Sequence, residues 1–199
     1  MKDDKRAARA AEIEKAAYLI LDAKGYEGLS MQAVARAAKA SNETLYRWYG
    51  DKIGLFRALI LRNTETVGAA LVRHEGADPL DMLAQVGPVL LTMLLGDRAV
   101  ALNRAAAADA TGQLGQALAD AGRGTVAPWI EAVMTRAMSQ GQLGPGDPAT
   151  MAALYFDLLI GDSQIRRVIG TLPAPDASVI DQRAARALDH LTRLHPAQP

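Results

Sequence analysis

The sequence predicts an all-α chain on three observations. Alanine and leucine dominate while β-branched residues are sparse. Apolar residues recur at helical spacing without any sustained alternation. Serine and glycine stand at candidate helix ends. With 199 residues, half of them apolar, the chain can bury one substantial core or two small ones.

A first helix is expected from Asp3 to Lys24, because Ile13, Ala17, Ile20 and Leu21 form one stripe and Gly25 suits a C-cap. Ser30 can cap a short second helix through Ala37, and Ser41 a third through Tyr49, each hydroxyl accepting from orphan amides. A longer helix from Lys52 to Arg73 sets Ile53, Phe56, Ile60, Val67 and Leu71 on one face. Helices then follow over Asp78 to Leu95, Asp97 to Asp109, and Gln113 to Gln140, the last kinked or broken at Pro128. Residues 141–148, rich in glycine and proline, form the clearest loop. Two helices close the chain, Ala149 to Ile169 and Ser178 to Leu194, separated by Pro173 and Pro175.

Net charge is zero, but its distribution is uneven. Residues 1–52 hold ten Lys and Arg against eight Asp and Glu, and all six lysines lie there. Compact ammonium groups suit phosphate contact, so a polyanion is the expected partner of this quarter, against the alternative of merely solvating lysines. The chain has no cysteine, which excludes disulfides, thiolate metal sites and a cysteine nucleophile and is compatible with a reducing cytoplasm. Met1 to Arg6 is too charged for a secretory signal. The longest apolar stretches, such as Pro88 to Leu95, fall far short of the roughly 20 residues a membrane span needs. A soluble cytoplasmic protein without a membrane partner is expected.

Two short helices joined by a brief turn cannot bury much alone. They make sense as a helix-turn-helix braced by the first and fourth helices, with Val34 and Ala38 meeting Leu45 and Tyr49 and the small Ala35 at the crossing. Residues 29–56 resemble the signature of the tetracycline-repressor (TetR) family. Thr44-Leu45-Tyr46, the aromatic Tyr49, Lys52 and the Leu55-Phe56 helix start are its most recognisable part, and the likeness covers residues 10–60. One position departs from the pattern: Lys39 stands where the turn commonly carries glycine. If left-handed, a lysine there costs on the order of 1 kcal/mol.

The first turns of a recognition helix face base edges. Arg47 suits guanine O6 and N7, Asn42 suits adenine, and Glu43 can accept from cytosine N4. The resemblance assigns Ser30, Gln32, Thr44, Tyr46, Trp48 and Lys52 mainly to the phosphate-sugar backbone, where contacts fix register without reading sequence. Trp48 serves equally well as core, Leu45 and Tyr49 are core, and Arg36 is a solvated residue. Lys2, Lys5, Arg6 and Arg9 are candidates for an electrostatic arm.

The resemblance divides the chain into a helix-turn-helix DNA-binding domain over 1–52 and a helical ligand-binding and dimerisation domain over 53–199. It implies a repressor released from a palindromic operator by a small, largely apolar effector. The family's last two long helices pair with a partner subunit. Here Leu154, Leu158, Gly161, Ile165, Leu188 and Leu191, with Ile169 and Val179, are the corresponding candidates. Readers of DNA half-sites are generally dimers, so a homodimer is expected. Met93, Asn103, Trp129, Met134 and Tyr155 are candidate effector contacts, although scattered methionines also serve as core filler.

An enzyme is the rival of another class, and its motifs are missing. There is no Gly-x4-Gly-Lys-Ser/Thr loop and no Gly-x-Ser-x-Gly elbow, while His74, His190 and His195 have neither metal nor triad spacing. No catalytic residue, metal or cofactor is expected. A helical adaptor for a protein partner is the other alternative, and it would lack salt-dependent retention on DNA.

Overall fold

A computed structural model describes residues 2–197, with side chains from residue 5 onward. The described residues contain helices and no strand. Helix α1 runs Lys2–Gly28 but breaks at Gly25, where φ is 64°. Glycine adopts this left-handed conformation without a Cβ penalty, so the expected end of the first helix is a change of direction followed by one more turn.

Helices α2 (Met31–Ala37) and α3 (Asn42–Tyr49) start as expected: the Ser30 hydroxyl accepts from Ala33 N, and the Ser41 hydroxyl from Thr44 N. Helix α4 spans Lys52–Arg73. Helices α5 (Pro79–Leu95) and α6 (Asp97–Ala108) follow, with Asp78 capping α5.

Two expected helices are divided. The stretch beginning at Gln113 comprises α7 (Gln113–Leu118), a π-helical turn (Ala119–Arg123) and α8 (Gly124–Ser139). Pro128 therefore lies inside α8, and the irregularity precedes it. Proline has no N–H for the carbonyl four residues back and its ring crowds that carbonyl. That residue is Gly124, where regular helix resumes after the widened turn.

The expected helix from Ala149 to Ile169 is α9 (Pro148–Ile160) and α10 (Ser163–Val168), parted at Gly161 with φ of 50°. Arg183 stabilises this break from α11 (Ala177–Leu194), its guanidinium donating to the carbonyls of Leu159 and Ile160 at 2.6 and 2.7 Å. The last carbonyls of a helix lack internal partners, and here a distant arginine supplies one.

Packing sorts the chain into two compact units, Met1–Arg62 with Ala101–Ala121, and Asn63–Val100 with Gly122–Pro199. The first unit has its own core. Ile13, Ala17, Leu29, Val34, Leu45, Leu55, Phe56 and Leu59 are shut off from solvent there, joined by Leu102 of α6 and Leu114 and Ala117 of α7. Helices far along the chain thus complete the packing of the N-terminal ones, which differs from a boundary drawn at residue 52.

The second unit is built around α5, α8, α9 and α11. Leu83, Leu90 and Leu91 of α5 meet Ile130 and Met134 of α8, Tyr155 and Leu159 of α9, and Leu191 of α11 in one buried cluster. Burying such leucines fully contributes about 1.5–3 kcal/mol each. Side chains of α10 close the C-terminal end of α5: Gln164 donates to the Leu94 carbonyl and Arg167 to that of Leu95. No single described helix is long and apolar enough to cross a membrane.

Candidate nucleic-acid interface

The sequence of α3 divides it into two faces. Asn42, Glu43, Tyr46 and Arg47 are exposed, at positions i, i+1, i+4 and i+5. Leu45 is wholly buried on the other side, and Trp48 and Tyr49 are half-buried beside it. Tyr46 is more than half exposed, unusual for a large ring. An exposed helix face carrying amide, carboxylate, phenol and guanidinium groups can satisfy base edges and phosphates alike.

The backbone-contact candidates are disposed around this face. Ser30 and Gln32 are exposed at the start of α2. The Thr44 hydroxyl is already bonded to that of Ser41 at 2.8 Å. Trp48 packs on the core edge-on to Tyr49, their centroids 6.4 Å apart, and Arg6 stands over its ring at 5.4 Å. Trp48 thus has a core role and carries a cation on its outer surface. Lys52 lies with its ammonium 3.7 Å from the centroid of the Tyr26 ring. Burial lowers the Lys52 pKa, partly countered by the Glu27 charge.

The turn between α2 and α3 holds Lys39 at φ 52°, so the lysine does occupy the left-handed region. Arg9 donates to the Lys39 carbonyl and pairs with Glu12. Arg9 is therefore a brace for the turn. Lys5 and Arg6 are exposed on the first turns of α1 rather than on an extended arm, and the Lys2 side chain lies outside the described residues.

Tyr49 is core as expected, but its buried hydroxyl has no hydrogen-bond partner. Burial, then the charge of Glu14, pushes its pKa up to about 12. Glu14 is itself buried and bonded to the Arg62 Nε at 3.1 Å, tying α1 to α4.

Tyr26 is the functional candidate that sequence reasoning missed. Its ring meets Phe56 edge-on, centroids 5.7 Å apart at 77°. Its phenol is raised by burial first and then by the carboxylates of Asp109, Asp51 and Glu27. A pocket of about 390 Å³ opens beside it, lined also by Glu27, Ile53, Ala105, Asp109 and Leu114. No periodicity points to Tyr26, because the contact with Lys52 joins residues on either side of the helix-turn-helix.

The effector and dimer candidates are only partly brought together. Met134 and Tyr155 are fully buried in the core of the second unit, and Met93 and Trp129 pack against that core half-buried. The Trp129 ring lies against Gly68 of α4. The Tyr155 hydroxyl makes one long bond, 3.4 Å, to the Leu83 carbonyl. Asn103 stands on α6, within the first unit.

Among the dimer candidates, Leu191 is wholly buried in its own chain and so unavailable to a partner. The close approach at Gly161 is by Arg183 of the same chain. Leu154, Leu158 and Leu188 are half-buried against the core. Ile165, Ile169 and Val179 are exposed at 56%, 62% and 49%.

A model of the TetR family of bacterial regulatory proteins matches residues 13–59, and one of AefR-like transcriptional repressors, C-terminal domain, matches residues 81–194, more than half of the chain. The fold is similar to that of a TetR-family regulator from Agrobacterium tumefaciens, with 26% identity, a TM-score of 0.76 and coverage of 96% of this chain and 95% of that one. A Mesorhizobium loti regulator gives 23% identity, a TM-score of 0.77 and coverage of 95% and 97%. The fatty acid degradation regulator FadR of Bacillus halodurans shares the fold at 12% identity, with a TM-score of 0.73 and coverage of 90% and 94%. No curated protein sequence matches. The chain belongs to the TetR family of DNA-binding, dimeric transcriptional regulators, a family of regulators and not of enzymes, and its C-terminal domain is of the AefR-like repressor kind.

Proposed function

We propose that this regulator is a homodimeric cytoplasmic repressor that leaves an inverted-repeat operator when a small, largely apolar effector enters its C-terminal domain. The observation that carries the reading is the exposed polar face of α3, which holds Asn42, Glu43 and Arg47; in this reading they contact base edges. Ser30, Gln32, Thr44, Tyr46 and Lys52, with Arg6 on Trp48, hold the sugar-phosphate backbone. The exposed Ile165, Ile169 and Val179, flanked by Leu154, Leu158 and Leu188, support a dimer surface: isolated apolar side chains are ordinary, but three on neighbouring segments suit a partner. Met93, Trp129, Met134 and Tyr155 support an apolar effector site, because methionine adapts to irregular ligands and the weakly bonded Tyr155 hydroxyl offers one polar handle.

Selection of bound duplexes from a random DNA library tests the reading. A two-fold dimer places its recognition helices in successive major grooves about 34–36 Å apart, or a multiple of it. Inverted repeats are expected, with binding that weakens steeply as salt rises. Repeated recovery of single asymmetric sites would refute the dimeric reader.

A further inference from the structure

We propose that Tyr26 is a positioning residue for DNA binding: its ring holds the Lys52 ammonium in place to meet a backbone phosphate. The inference rests on the reading of Lys52 as a phosphate contact.

Three observations carry it. The ammonium lies 3.7 Å from the ring centroid, well within the roughly 6 Å over which a ring quadrupole attracts a cation. The ring is itself fixed, set edge-on against the fully buried Phe56 at 5.7 Å. The phenol pKa is raised by burial first and then by the carboxylates of Asp109, Asp51 and Glu27, whose negative charge favours a cation at the ring.

A free lysine carries rotamer entropy that phosphate binding would have to remove. Holding the side chain in advance reduces that cost, so the aromatic ring raises affinity without touching DNA. Arg6 over Trp48, in the last turn of the recognition helix, repeats the arrangement at 5.4 Å.

The test uses the full-length protein and the selected operator duplex, labelled for fluorescence anisotropy across a salt series. Tyr26→Leu keeps apolar volume against Phe56 and removes the π face, and Tyr26→Phe keeps the face and removes the hydroxyl. Lys52→Met keeps the apolar stem and removes the charge. Tyr26→Leu should weaken binding roughly two- to fivefold, as expected for a partly exposed cation–π contact, with an unchanged salt slope. Tyr26→Phe should bind as the parent does. Lys52→Met should lower affinity and flatten the salt slope by about one. In the Lys52→Met background, Tyr26→Leu should add nothing.

Binding by Tyr26→Leu that equals or exceeds the parent's overturns the proposal, the latter because the ring would then sequester Lys52. An equal loss in both backgrounds also overturns it, since the ring would then act through folding alone. If Lys52→Met leaves affinity and slope untouched, the reading of Lys52 fails, and the positioning role falls with it.

Discussion

Arg47 and Glu43, the two charged residues proposed to read opposite kinds of base edge, face each other in the structure. Arg47 Nη1 stands 3.6 Å from Glu43 Oε1, one helical turn apart on α3, and both side chains are largely exposed. Such a pair is worth at most about 0.5 kcal/mol. So weak a pair can be separated at little cost if DNA recruits either side chain.

Arg47→Ala should relax base preference and cost about 1–3 kcal/mol at its contact. Glu43→Ala should raise affinity for random duplex, because it removes a negative charge from a surface that meets phosphates. Competition between operator and random DNA checks both. Equal loss on all sequences for Arg47→Ala would make that residue a positioner instead of a reader.

Arg167 tests the second unit. It is buried and donates to the carbonyls of Leu95 and Leu172 and to Asp97 Oδ1, the last at 2.7 Å. Truncation to alanine leaves buried carbonyls without partners, so a loss of about 2–4 kcal/mol is expected in denaturant unfolding. Asp97→Ala should cost far less, because that carboxylate is well exposed.

Ile165→Glu puts a charge on a side chain already exposed within the chain, so the fold should survive. If Ile165 faces a partner, the charge is buried without a counter-ion and the dimer should separate. Sedimentation at micromolar concentration decides. A folded, unchanged dimer would move the interface to another surface.

Helix and turn caps are expected to contribute to the acid sensitivity of the fold. Asp109, bonded first to Leu114 N, Asp147, bonded first to the Thr150 hydroxyl, and Asp176, bonded first to Val179 N, all have lowered pKa values. A depressed acid pKa contributes stability that is complete above the unfolded value, near 3.9, and is lost as pH falls through the folded one. Melting temperature should therefore be insensitive to these groups above about pH 5 and should drop below about pH 4. Asp147→Asn should make that drop shallower; an identical acid profile would exclude Asp147 as a contributor.

Most of the N-terminal reading was available locally. The Ser30 and Ser41 caps, the Leu45 core position and the exposed pattern on α3 depend on residues within a few positions of one another, and helical periodicity and cap chemistry act over that range. The conformation of Lys39 was legible as an alternative for the same reason: one residue in a short turn must reverse the chain.

Local rules could not place interactions between distant segments. The break at Gly161 looks like helix until Arg183 from α11 satisfies the carbonyls there, and the irregular turn near Pro128 fell one turn earlier than proline alone implied. Leu191 has the periodicity of an interface residue, yet the same apolar pattern serves a chain's own core, and only packing assigns it.

What the amino-acid sequence determined alone was the N-terminal helices, their caps and the exposed polar face of α3, because backbone hydrogen bonds and side-chain periodicity are short-range. What tertiary structure alone decided was which residues meet across the chain: Tyr26 beneath Lys52, Arg6 over Trp48, Arg9 on the Lys39 carbonyl, and α6 and α7 completing the first core. These contacts depend on the three-dimensional course of the backbone. Separation along the sequence carries no signal for a cation that comes to rest on a ring more than twenty residues away.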